Sequence, residues 1–136
     1  MAKIRHIAIK AKDPERLVKF YENAFEMEVI LRRETGAVYM TDGYMNVAIL
    51  PVRRETDRPG IDHFGFQVED MEGVFGKLRE EGIEPPTPGA HNPPYAEVRG
   101  YDPEGNGFDL TVHGFEREEY QEDRGVVVKE PEKVDA

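Results

Sequence analysis

Apolar and polar positions alternate in two short segments that match each other position for position. Ile4-Arg5-His6-Ile7-Ala8-Ile9 and Ile61-Asp62-His63-Phe64-Gly65-Phe66 both read as β-strands, and each runs on to an aspartate that opens a helical pattern. In the first strand Ile4, His6, Ala8 and Lys10 share one face, and Arg5, Ile7 and Ile9 share the other. Asp13 then stands as an N-cap, Pro14 as the first helical residue and Glu15 as an acid in the first turn. Leu17, Val18, Phe20, Tyr21 and Ala24 give this helix its apolar stripe. Three strand-like runs follow, at about 28–34, 37–41 and 44–52, with the hairpin dipeptide Asp42-Gly43 between the last two.

The second half repeats the order. In the strand 61–68, Asp62, Phe64, Phe66 and Val68 fall on one face, and His63, Gly65 and Gln67 on the other. Asp70 matches Asp13 as N-cap, and Met71, Val74, Phe75 and Leu78 match the first helix's stripe. Gly82 ends the second helix. A proline-rich loop holds Pro85, Pro86, Pro88, Pro93 and Pro94. Beyond it come strands near 95–101 and 108–113, with a turn at Asp102-Pro103-Glu104-Gly105-Asn106-Gly107 between them. Each half therefore reads strand, helix, strand, strand, strand, although the strand after the second helix is short and ill-defined. This is an α+β pattern in two tandem βαβββ modules, at 3–58 and 60–115. They form one domain over residues 1–115, and 116–136 is an acid-rich tail. With the helices on one sheet face, the opposite face is left to line a cleft, and both histidines point there.

Composition narrows the function. The chain has 136 residues, no cysteine and a formal net charge of −10. One domain of this size needs no disulfide or structural metal to fold, and thiolate zinc sites are excluded. The negative field repels phosphate backbones, so no nucleic-acid partner is expected. No segment has the run of about 20 apolar residues that crosses a bilayer, and no apolar leader precedes the first strand. A soluble, cytoplasmic protein is expected.

The motifs and their order resemble those of the vicinal oxygen chelate superfamily, the group of glyoxalases, bleomycin-resistance proteins and extradiol dioxygenases. The resemblance covers about residues 3–115. It rests on Ile4-Arg5-His6, Asp13-Pro14 with Phe20-Tyr21, Gly60-Ile61-Asp62-His63-Phe64-Gly65-Phe66, and Asp102-Pro103-Glu104-Gly105-Asn106 followed by Phe108-Asp109-Leu110. It implies paired βαβββ modules curved into an open barrel around a divalent metal ion (Fe, Mn, Ni, Co or Zn). By the same resemblance His6, His63 and Asp109 are the ligands. The chain departs from the family in two places. The strand that often supplies a fourth ligand, Glu or Gln, offers only Asn46 as a polar side chain. Asp109 stands where Glu is usual, a side chain shorter by one carbon–carbon bond of about 1.5 Å.

Two imidazoles and a carboxylate form a facial triad with open positions, suited to Fe(II) oxygenases and to other divalent ions. Two reaction types fit a small organic substrate with vicinal oxygens. Extradiol dioxygenase chemistry works with three protein ligands. Glyoxalase-type lyase or epimerase chemistry often uses a fourth carboxylate, so the missing acid favours the dioxygenase plan slightly. A non-catalytic binder of the drug-resistance type is the competing class. His91, in the proline-rich loop, and Tyr95 are the candidate catalytic groups, as general acid or base and as phenolic donor. Tyr39 is a second phenol of that kind, His113 could orient Asp109, and Arg32-Arg33 and Arg53-Arg54 could draw an anionic substrate. A homodimer is expected by resemblance.

Overall fold

The structure is a computed structural model, and it describes residues 1–85 and 98–112. Among these residues seven strands and two helices follow one another in the order β1 (Lys3–Ala11), α1 (Pro14–Phe25), β2 (Glu28–Arg32), β3 (Val38–Thr41), β4 (Asn46–Pro51), β5 (Gly60–Gln67), α2 (Met71–Glu80), β6 (Val98–Tyr101) and β7 (Gly107–Thr111). The α+β class and the first βαβββ unit are as expected. Residues 81–85 form no strand, so among the described residues the second unit is βαββ. The tail at 116–136 lies outside the described residues.

All seven strands form one mixed sheet in the order β2-β3-β4-β1-β5-β7-β6. β1 and β5 pair antiparallel at its centre, and each takes a parallel partner from its own half, β4 and β7. The expected open barrel is here a single sheet that does not close. β2 and β6 end it as edges among the described residues. No helix among the described residues is long and apolar enough to cross a membrane.

Local chemistry accounts for the helices. The Asp13 carboxylate accepts from the Arg16 amide at 3.2 Å, with Pro14 in the first turn. Asp70 occupies the matching cap position without a side-chain bond to the helix. α1 ends on Glu26 in the left-handed region at φ 58°, a conformation that favours glycine and that nothing in the sequence announces. α2 ends before Gly82, at φ 78°, as expected.

The apolar stripes sort the two faces. Val18, Leu17 and Tyr21 of α1 pack with Ile9, Val29, Val38, Met40 and Ile49. Val74, Phe75 and Leu78 of α2 pack with Phe64, Phe66, Phe108 and Leu110. On the opposite face Ala8, Ala48, Leu31 and Tyr39 form a third cluster. Because side chains alternate along a strand, His6, His63 and Asp109 are left on the face away from the helices.

Candidate metal centre

One row of paired residues crosses the sheet at this face. Asn46 of β4 pairs with His6 of β1, His6 with Gly65 of β5, Gly65 with Asp109 of β7, and Asp109 with Arg99 of β6. His63 lies two residues from Gly65 on the same strand. Alternate strands are about 9.6 Å apart, twice the usual 4.8 Å spacing. Glycine between His6 and Asp109 lets both side chains lean over the empty position. His6 Nε2 comes within 3.9 Å of Asp109 Oδ2, and His63 Nε2 within 3.0 Å of the same oxygen. His6, His63 and Asp109 are 3 %, 8 % and 2 % exposed, so the group is enclosed.

Both imidazoles are held from behind. His6 Nδ1 donates to Asn46 Oδ1 at 2.7 Å, and His63 Nδ1 donates to Asp62 Oδ2 at 2.7 Å. With Nδ1 carrying the proton, each Nε2 turns its lone pair toward Asp109. This is the arrangement in which metal-binding histidines are oriented by an oxygen on their other nitrogen.

Asp62 reaches His63 because of a β-bulge. Ala8 pairs with His63 and Ile9 with Ile61, which leaves Asp62 as the extra residue on β5. Strict alternation puts Asp62 on the helix side with Phe64. The bulge corrects that placement and turns its carboxylate to the ring. A second bulge makes Arg5 the extra residue on β1, next to His6. There Arg5 Nη1 donates to Gln67 Oε1 at 3.0 Å.

Charge states suit ligation. Burial pushes His6 down to a pKa of about 4, against the raising effect of its bond to Asn46. Burial pushes the Asp109 carboxyl up, but its contacts with His63 and with the Arg99 guanidinium outweigh that and hold it below the usual range. At neutral pH His6 is uncharged and Asp109 is an anion, the forms that bind metal.

The donor set fits a divalent ion. Two imidazole Nε2 atoms converge on one carboxylate oxygen, a donor set of the kind that divalent ions take. The three ligand atoms all lie within 4.8 Å of one another. Ligands at about 2.0–2.2 Å from an ion stand about 2.8–3.6 Å apart at square or tetrahedral angles, so a pair at the 4.8 Å limit has to close by roughly 1–2 Å. Asn46 Nδ2 is buried without a hydrogen-bond partner beside this set, an orphan donor on the strand that lacks the fourth acid.

Arg99 is the participant that sequence reasoning missed. Its Nε donates to Asp109 Oδ1, and its Nη2 donates to His63 Nε2 at 3.2 Å. The Asp109–Arg99 pairing across two strands was its only signal, and it becomes visible only once register is known.

Other sequence candidates are placed elsewhere. His91, Tyr95 and His113 lie outside the described residues. Tyr39 is fully buried in the cleft-face cluster, with the Arg33 guanidinium 5.3 Å from its ring centre. Arg32 pairs with Glu15. Arg33, Arg53 and Arg54 join Lys10, Asp57 and Tyr39 around a cleft of about 610 Å³.

Comparisons with known proteins bear on the fold and the family. No curated protein matches the sequence. Among solved structures, the 2,3-dioxygenase LapB from Pseudomonas sp. KL28 superposes with a TM-score of 0.67 at 23% identity, over 82% of this chain and 40% of that one. A hypothetical protein, BH1468 from Bacillus halodurans, gives 0.62 at 18% identity, over 80% and 92%. A methylmalonyl-CoA epimerase gives 0.57 at 20% identity, over 81% and 93%. At these identities the likeness is one of fold. The family model for the Glyoxalase/Bleomycin resistance protein/Dioxygenase superfamily matches residues 3–110, and the chain belongs to that superfamily.

Proposed function

We propose that this protein is a metal-dependent enzyme that acts on a small organic substrate with vicinal oxygens, with dioxygenase chemistry favoured. The observation that carries the proposal is the convergence of His6 Nε2, His63 Nε2 and Asp109, with both Nδ1 atoms already engaged by oxygens. A divalent ion held by these three residues would supply Lewis acidity and open positions for two neighbouring oxygens. The protein's own part is preparation. Asn46 and Asp62 fix the rings, Asp109 supplies the anionic ligand, and burial excludes water. Proton transfer is assigned to His91 and Tyr95 by residue chemistry.

The preference for a dioxygenase over a lyase or epimerase rests on Asn46. It is the one polar residue of the strand that often supplies the fourth acid, and its oxygen is committed to His6. It is neither an anionic ligand nor a base.

Elemental analysis of tag-free protein tests the metal. About one Fe, Mn, Ni, Co or Zn per chain is expected, lost in both His6→Ala and His63→Ala. Metal-supplemented protein that retains none would end the proposal and leave a binding module. Oxygen uptake with a panel of catechols tests the reaction. No uptake, with turnover of a hemithioacetal, reverses the preference to the lyase.

Asn46 gives a finer prediction. Asn46→Leu keeps the volume and removes the acceptor for His6 Nδ1, so the ring loses its fixed tautomer. Affinity for Co(II), followed by titration, is expected to fall about 10–100-fold, the usual effect of removing such a partner. An unchanged affinity would mean that packing alone orients His6.

A further inference from the structure

We infer that Arg99 is a resident rival for the metal, a cation that occupies the site in metal-free protein and must leave His63 when the ion enters. The inference rests on the proposed metal site, and it concerns how that site stays assembled without its ion. Asp109 is buried at 2 % exposure, and two imidazole lone pairs face it. Left alone, this is a cluster of acceptors around a negative charge, and such a cluster is costly to bury. The guanidinium relieves it from one side. Nε binds Asp109 Oδ1 and Nη2 binds the lone pair of His63 Nε2.

That second contact sets up the competition. His63 Nδ1 already carries a proton toward Asp62, so Nε2 is the only lone pair the ring has for a metal. The same lone pair cannot serve Arg99 and an ion together. Repulsion adds to this, since the ion and the guanidinium would share one carboxylate.

The surroundings permit the exchange. Arg99 stands on β6, the edge strand, and its side chain is 25% exposed while Asp109's is 2% exposed. It can turn outward without unpacking the sheet. Once an ion holds Asp109, the carboxylate no longer needs Arg99 to set its direction. Removing the guanidinium should therefore strengthen metal binding, although it deletes a hydrogen bond to a ligand.

Co(II) titration of metal-stripped wild type, Arg99→Met and Arg99→Gln, followed by absorption, tests this. Both variants are neutral, and glutamine keeps a polar contact with Asp109 if methionine does not fold. The folded variants are expected to bind Co(II) at least about ten-fold more tightly than wild type. Equal or weaker binding, with wild type still saturable, overturns the rivalry and leaves the metal site standing. Absence of Co(II) binding in all three proteins overturns both.

Discussion

Replacing Asp109 with alanine is expected to abolish metal retention and to destabilise the metal-free protein, whereas asparagine abolishes retention and leaves stability nearly intact. Asp109 is the only anion of the triad. Its removal leaves two neutral imidazoles to hold a divalent ion in an enclosed site. Losing the charged partner of a buried charge costs about 3–5 kcal/mol, equivalent to about 10²–10⁴-fold in affinity. The two variants part company in the metal-free protein. Alanine removes the acceptor that Arg99 Nε uses. Because Arg99 is a quarter exposed and can turn to water, the cost is set at about 2 kcal/mol, below that of a fully enclosed pair. Asparagine keeps an oxygen for Arg99 and puts an N–H where Asp109 Oδ2 now faces His63 Nε2 at 3.0 Å. An acceptor–acceptor contact becomes a hydrogen bond, worth about 1 kcal/mol, which offsets the weaker neutral bond to Arg99. Urea denaturation of chelator-treated protein, with metal content measured in parallel, checks both. Stoichiometric metal in Asp109→Asn, or wild-type stability in Asp109→Ala, would contradict the role given to this carboxylate.

The candidate ligands are legible because strand alternation survives at each of their positions. Period-two alternation is enough to place His6 and His63 on the face opposite the helical stripes, and the repeat pairs them. What supports the ligands was not legible. Asp62 reaches His63 only because β5 carries one extra residue against β1, and a bulge leaves no trace in an alternation pattern. Asn46 could be seen as the lone polar residue of its strand. That it holds His6 follows from the parallel register of β1 and β4, which links residues 40 apart in sequence. Arg99 was hidden for the same reason, on a strand whose position beside β7 depends on sheet order. The departure at position 109 also changes meaning. A carboxylate one methylene short has less reach toward the two rings. The row across the sheet supplies the answer, because the intervening position is glycine and Asp109 reaches both rings over it.

Filling that position should therefore close the site. A Cβ built on Gly65 would stand 3.0 Å from His6 Cβ, 3.2 Å from His6 Cδ2 and 3.4 Å from Asp109 Cβ. For Gly65→Ala two effects oppose each other. A strand residue with a side chain gains about 0.5–1 kcal/mol over glycine, and crowding costs a similar amount, so stability barely changes. Gly65→Val adds two methyl groups to the same wedge, and overpacking of this kind costs about 1–3 kcal/mol. His6 cannot retreat freely, since its ring is tied to Asn46 at 2.7 Å and its backbone lies between β4 and β5. The wedge instead drives His6 and Asp109 apart, which lengthens the 3.9 Å separation that an ion has to bridge. The expected series is near-wild-type stability with weakened Co(II) binding for alanine, then reduced stability with no binding for valine. Thermal denaturation and Co(II) titration on the same samples separate the two effects. If Gly65→Val bound Co(II) like wild type, the two ligands would not meet over this glycine, and the site's geometry would have to come from elsewhere in the sheet.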